Sequence, residues 1–333
     1  MGQKAERQSG TMTQHREAKM KVGFIGLGNV GGKLSGSLLR NGVDVMVHDL
    51  NEEFVKAKVA AGAVAGESPA KMMRACDAVI TCLPSPAASA AVLEEMLPEV
   101  CEGKIWMEMS TTDEAEVKRI GAEVIAAGGA AVDCPVSGGC HRADTGNISI
   151  FAGCERETFE RILPLLTIMG RRVLHTGPLG SASVLKVLTN FLATANLVSV
   201  AEALTVAKGA GMDLGVAYEA MAISSGTSFV HETEGQVILN GSRDISFTMD
   251  LVAKDIGLFQ EVADRAGVPL ELNPLLISIF QDGISRFGPR ELSPNIIKRL
   301  EEATGLDVTA PGFPAEMTDD EPEERGAEVT VKR

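Results

Sequence analysis

Gly26, Gly28 and Gly31 spell G-x-G-x-x-G, with Leu27, Asn29 and Val30 between them. They follow the apolar run "KVGFI" and open an amphipathic segment, so the turn sits between a strand and a helix. The first glycine permits a tight turn and the second lets backbone approach a pyrophosphate. The third lets the helix pack on the strand, while free N–H groups and the helix dipole face the phosphates. Asp49 closes the next apolar run, "DVMVHD". An acid at that place accepts hydrogen bonds from the adenosine ribose hydroxyls and repels a 2′-phosphate. The residues after it, Leu50–Glu53, supply no arginine, so the expected cofactor is NAD in preference to NADP.

The elements that must hold this turn can be read around it. "KVGFIG", "DVMVHD", "DAVITCL", "KIWMEMS", "AAVDCPV" and "ISIFAG" read as strands. Asn29–Asn41, Ser68–Ala75, Ser89–Leu97, Asp113–Ala127 and Glu155–Met169 read as helices between them. This alternation predicts βαβ units and an α/β fold with a mostly parallel sheet, through about Val173. After "HTGPLG" the pattern is nearly all helical, and Ser183 to about Lys208 reads as one helix closed by "GAG". A helix so long and apolar must cross between domains or be buried by a partner chain. The expected organisation is a disordered segment over 1–19, a cofactor domain over 20–180, an all-helical domain over 181–305 and a disordered acidic tail over 306–333. The tail expectation rests on "EMTDDEPEERGAE", an acidic run without core-forming residues.

The formal net charge of −14 repels nucleic-acid backbones and anionic lipid, so neither is an expected partner. No secretory signal is visible, and the longest apolar stretch is interrupted by Lys186, Asn190, Asn196 and Glu202. The six cysteines contain no C-x-x-C pair; free thiols and a cytoplasmic location are expected.

Three further stretches complete a pattern: "DCPVSGG" (Asp133–Gly139), "GPLGSASVLKVLTN" (Gly177–Asn190) and "FTMDLVAKDIGL" (Phe247–Leu258). With the glycine turn, in this order over about Lys21 to Gly288, the chain resembles the β-hydroxyacid dehydrogenase family. That group includes 3-hydroxyisobutyrate dehydrogenases and tartronate semialdehyde reductases. The resemblance implies a Rossmann domain, a long interdomain helix, an all-α C-terminal domain and a homodimer or homotetramer. It implies that Ser137, Gly138 and Gly139 hold a substrate carboxylate, that Lys186 is the catalytic acid/base and that Asn190 stands beside it. It implies that Lys254, next to Asp255, closes over the site, and that Leu83, Pro84 and Thr111 line the nicotinamide half of the cofactor. Two positions depart from the pattern. Ala182 replaces a glycine, and Thr189 stands where many members have a second asparagine, which bears on substrate choice.

The residue types suit that chemistry. Lys186 and Asn190 share one helix face a turn apart. Burial, and the positive charge of NAD⁺, lower the pKa of an amine, which then accepts a proton in oxidation and returns it in reduction. Asn190 can donate to the same substrate oxygen or orient the amine. "SGG" offers a hydroxyl and bare N–H groups to a small carboxylate-bearing substrate. The expected reaction is NAD-dependent interconversion of a small 3-hydroxy acid and its semialdehyde. Two alternatives share the scaffold, a non-catalytic dinucleotide-binding module and an imine reductase; relatives of either kind usually lack the lysine. Arg142 either contacts a second anionic group on the substrate or stands in solvent or paired with Asp144. Cys140 and His141 are adjacent and point apart, so no metal is expected.

Overall fold

A computed structural model describes residues 20–331, so the expectation for residues 1–19 lies outside the described residues. Ten strands form one sheet among them: β1 (Val22–Ile25), β2 (Val45–His48), β3 (Val64–Ala65), β4 (Ala78–Thr81), β5 (Ile105–Glu108), β6 (Ala130–Asp133), β7 (Val136–Ser137), β8 (Ile148–Gly153), β9 (Gly170–Gly177) and β10 (Ala327–Glu328). The order is β10-β9-β8-β6-β5-β4-β1-β2-β3, with β7 paired to β8. Pairing is parallel except where β8 meets β6 and β7. The helices of this half are α1 (Gly31–Arg40), α2 (Glu52–Ala60), α3 (Pro69–Ala75), α4 (Pro86–Met96), α5 (Glu114–Ala126), α6 (Gly139–Asp144) and α7 (Arg156–Met169).

The central strands β1, β4 and β5 are buried at every position because both faces are covered. Their side chains alternate between two layers. Phe24, Ile80 and Met107 pack with Leu34, Leu38 and Phe159. Ile25, Val79 and Trp106 pack with Met72, Leu93 and Val117 on the other side. β1 is flanked by β2 and β4, so the chain leaves it in opposite directions on successive crossings. The crevice at such a switch point is where doubly wound sheets take their ligands.

The second half is helical: α8 (Ser181–Gly209), α9 (Leu214–Ala222), α10 (Phe229–Glu232), α11 (Glu234–Asn240), α12 (Met249–Ala266), α13 (Leu272–Phe287) and α14 (Lys298–Thr304). Leu197, Val200 and Leu204 of α8 share its core with Val252 and Ile256 of α12 and Phe280 of α13. By length and hydropathy α8 could cross a membrane. Instead it carries buried Lys186 and its first turn is tied into the sheet. Asp133, at the end of β6, accepts from Gly180 N at 2.8 Å, Ser183 N at 2.7 Å and Ser183 Oγ at 2.9 Å. The carboxylate thus satisfies the free donors of the helix N-terminus and its charge suits the dipole. A Cβ on Gly153 would lie 2.3 Å from Asp133 Oδ1, so this strand position must be glycine.

The segment after α14 corrects an expectation. Through residue 331 it is an ordered strap, not a disordered tail. It is fastened to the helical half by Asn240 Nδ2, which donates to Phe313 O at 2.7 Å, and by Ser242 Oγ, which donates to Ala315 O at 2.6 Å. It then crosses to the sheet. Asn147 Nδ2 donates to Asp319 Oδ2 at 2.7 Å, Glu324 pairs with Arg171 at 2.8 Å and Glu328 pairs with Arg156 at 2.5 Å. β10 lies parallel to β9, and Gly326 N donates to Thr167 O at 2.8 Å. Asp319, Glu321, Glu323, Glu324 and Glu328 each find a base or a polar hydrogen on the sheet half, which offsets ordering entropy without an apolar core.

Replacing Asp133 by alanine would strand three buried donors at once. Asp133→Ala is expected to lower the unfolding free energy by about 3 kcal/mol or more, read from urea denaturation; an unchanged midpoint would show that α8 is held by other contacts.

Candidate active site

The glycine turn has the space its sequence demands. A Cβ on Gly26 would lie 2.2 Å from Cys82 O, and one on Gly31 would lie 2.0 Å from Gly26 O. Gly28, by contrast, faces open space, leaving room for a pyrophosphate against the backbone. Asp49 is oriented by two N–H groups: Leu27 N donates to Oδ2 at 2.6 Å and Asn51 N to Oδ1 at 2.8 Å. Asn29 reaches to the helical half, donating from Nδ2 to Ser246 O at 3.3 Å. Val30 directly precedes α1. These features fit a dinucleotide lying across the ends of β1 and β4.

The loops after β4 and β5 are tied together. Leu83 N donates to Ser110 Oγ at 2.7 Å. Beneath them, fully buried Glu108 accepts from Ser110 N at 2.8 Å and from Thr81 Oγ1 at 3.0 Å. Burial pushes this carboxyl's pKa up, against the pull of those hydrogen bonds. Glu108 therefore sets where Leu83 and Thr111 stand, and no sequence pattern singled it out. Pro84 is exposed at the same rim.

Lys186, Asn190, Lys254 and Thr111 are joined in one chain of contacts. Lys186 is 8% exposed, and its Nζ donates to Asn190 Oδ1 at 2.8 Å. Asn190 Nδ2 donates to Asp255 Oδ2. Lys254 Nζ lies 2.7 Å from Asp255 Oδ1 and donates to Thr111 O at 2.8 Å. The two charged partners fix which way the Asn190 amide points. Burial pushes the Lys186 amine down to about 8; Asp255 opposes the shift and Lys254 adds to it. Asp255 links the other members, a role its position beside Lys254 had not revealed. Thr189 is on the same helix, with its hydroxyl turned back to Lys186 O at 2.8 Å.

Ser137 ends β7, and Gly138 and Gly139 follow at φ +128° and +88°. α8 packs against β7 and β8, which brings this cradle beside the helix that carries Lys186. α6 folds back over the glycines: a Cβ on Gly139 would lie 2.8 Å from the His141 ring, and one on Gly138 would lie 3.4 Å from Arg142 Cδ. Arg142 pairs neither with solvent alone nor with Asp144. It lies 3.5 Å from Glu321 of the strap and 5.1 Å above the Phe229 ring, while Asp144 takes Lys33 at 3.4 Å. Burial raises the Cys140 thiol pKa and lowers that of His141, which disfavours a thiolate nucleophile.

The sheet half, residues 21–177, matches the family described as the NAD binding domain of 6-phosphogluconate dehydrogenase. Residues 180–300 match the NAD-binding domain family of NADP-dependent 3-hydroxyisobutyrate dehydrogenase. The chain is 33% identical to 2-(hydroxymethyl)glutarate dehydrogenase of Eubacterium barkeri, over 88% of this chain and 99% of that one. The chain belongs to the β-hydroxyacid dehydrogenase family. Another relative of this β-hydroxyacid dehydrogenase is the NAD-dependent L-serine dehydrogenase of Pseudomonas aeruginosa, 32% identical over 85% of this chain and 98% of that one. The crystal structure of 3-hydroxyisobutyrate dehydrogenase from Salmonella typhimurium superposes with a TM-score of 0.77 at 27% identity, covering 84% of this chain and 99% of that one. As a β-hydroxyacid dehydrogenase the protein is an NAD-dependent oxidoreductase, in keeping with the turn and Asp49.

An amine with this pKa gives a signed pH dependence. With Lys186 as the base, alcohol oxidation would need the neutral form, so kcat/KM is expected to rise through about pH 8 and level off above it. Aldehyde reduction needs the ammonium and is expected to fall over the same interval. Oxidation that is flat between about pH 6 and 10 would rule Lys186 out as the titrating group.

Proposed function

We propose that this chain interconverts a small 3-hydroxy acid and its semialdehyde, with Lys186 moving the hydroxyl proton. The supporting observation is the buried Lys186 amine, its pKa lowered to about 8 and held by Asn190 at 2.8 Å. NAD supplies the hydride acceptor; the turn Gly26–Gly31, Asp49, Leu83, Pro84, Thr111 and Lys254 would hold it.

Ser137, Gly138 and Gly139 fix the substrate carboxylate, which sets the alcohol carbon's distance from the lysine. In oxidation the neutral amine offers its lone pair to the hydroxyl proton while one N–H stays on Asn190 Oδ1. Asn190 spends both amide ends on Lys186 and Asp255, so it orients the amine and leaves the substrate oxygen to Nζ. The charge on Asp255 steadies the ammonium that results. In reduction the same ammonium returns the proton to the forming alkoxide.

The named activities of the relatives support this substrate class. 3-Hydroxyisobutyrate, L-serine and 2-(hydroxymethyl)glutarate are all 3-hydroxypropanoates that differ in the group on C2. Six unpaired cysteines support a cytoplasmic location. Leu192 and Val206 of α8 are 58% and 70% exposed, and a second copy of the chain would cover them. The expected assembly is a homodimer or homotetramer.

Purified protein is expected to form NADH from NAD⁺ with at least one of 3-hydroxyisobutyrate, L-serine and 2-(hydroxymethyl)glutarate, read at the NADH absorbance. Lys186→Ala is expected to lose about 10²–10⁴-fold in kcat while NADH still binds; equal turnover by mutant and wild type refutes the lysine's role. Light scattering is expected to give the mass of a dimer or tetramer, and a monomer at micromolar concentration would contradict the proposed cover for α8.

A further inference from the structure

The strap roofs a cavity of about 600 Å³ whose walls include Arg142, Phe229, Gln236, Asp319 and Glu321. Arg142 joins that cavity to the carboxylate cradle. Its Cδ stands 3.4 Å from where a Cβ of Gly138 would be, and its guanidinium continues over Phe229 at 5.1 Å. The Arg142 stem therefore passes beside the cradle glycine Gly138 while its guanidinium reaches into the cavity over Phe229.

Its present partner is loose. Glu321 approaches Arg142 only to 3.5 Å, with side-chain exposures of 46% and 28%. A pair so exposed contributes little. Asp319 accepts from Thr145 and Asn147, and Glu323 from Arg40 Nε at 3.2 Å. Glu321 is the strap carboxylate set against Arg142, the guanidinium it would uncover on leaving.

We infer that Arg142 and Glu321 form a displaceable anion subsite, which admits a 3-hydroxy acid carrying a second carboxylate on its C2 group. Glu321 rests on the guanidinium when the site is empty, and the substrate's far carboxylate takes its place. A guanidinium suits that exchange because its fork accepts a carboxylate in two-point contact. No bond is made or broken in the exchange; the strap's backbone ties, at Phe313, Ala315 and Gly326, hold it near while Glu321 swings away. This inference rests on the cradle holding the first carboxylate.

The test is calorimetric titration of the NADH complex of the full chain with glutarate and with isobutyrate, which lacks the second carboxylate and the chain that carries it. Glu321→Gln is expected to tighten glutarate about threefold to tenfold and leave isobutyrate within about twofold. Arg142→Gln is expected to weaken glutarate by about tenfold or more relative to isobutyrate. A chain ending at Glu316 should behave like Glu321→Gln; if it fails to fold, Glu321→Gln decides, since its side chain is largely in solvent. Both acids responding alike to Glu321→Gln, or neither responding, overturns the subsite. If neither acid binds any form, the cradle and the subsite fall together, whereas NADH formation from 3-hydroxyisobutyrate reports on the reaction itself.

Discussion

Asp133 fixes the distance on which the chemistry depends. Its carboxylate caps α8 through Gly180 and Ser183, and Lys186 follows Ser183 by one helical turn. Its backbone ends β6, and the chain runs from there through Pro135 directly to Ser137 and the cradle glycines. One buried residue therefore sets both ends of the proposed substrate space, the Ser137–Gly139 cradle and the Lys186 amine. Burial raises the Asp133 pKa against the pull of the Gly180 and Ser183 donors. The sheet contributes its part by withdrawing: Gly153 has no side chain where the carboxylate must lie.

The amine's charge is then set from the opposite half of the molecule. Lys254 and Asp255 are neighbours on α12, yet their charges push the Lys186 pKa in opposite directions. Lys254 is also anchored on Thr111 O, in the loop expected at the nicotinamide. Other ties span the same cleft, Asn29 to Ser246 and Arg265 to Asp113 at 2.8 Å. Opening the cleft would thus separate Lys254 from Thr111 and expose Lys186 to water, returning the amine toward an ordinary lysine.

The parts of this architecture that show in sequence are those with a local signature. The glycine turn is legible because its three glycines fall at a fixed short spacing between a strand and a helix. α8 is legible because its apolar run is long and ends on glycine. α2 was not read, since none of its residues is buried and it carries no apolar stripe. β9 is not legible because "GRRVLHTG" lacks alternation, and Arg171 within it pairs with Glu324 of the strap. The strap was misread as disorder because composition counts charges without knowing their partners, and those partners lie more than a hundred residues away in sequence. Glu108 and Asp255 escaped for the same reason: a carboxylate reveals its use only through the groups that surround it.

Buried and exposed charges divide the work here. The cradle, the lysine and the nicotinamide loops are held by Asp133, Asp255 and Glu108, each buried and each bonded to several groups. Removing any of them strands partners in a low dielectric, so change there is costly. Arg142, Phe229 and the strap acids stand at the rim, where single substitutions cost little stability. The contacts proposed to meet the C2 group of a 3-hydroxy acid are therefore free to vary while the geometry of Lys186, Asn190 and Asp255 stays fixed. Such a separation would let one scaffold take substrates with different groups at that carbon, as the names of the relatives differ.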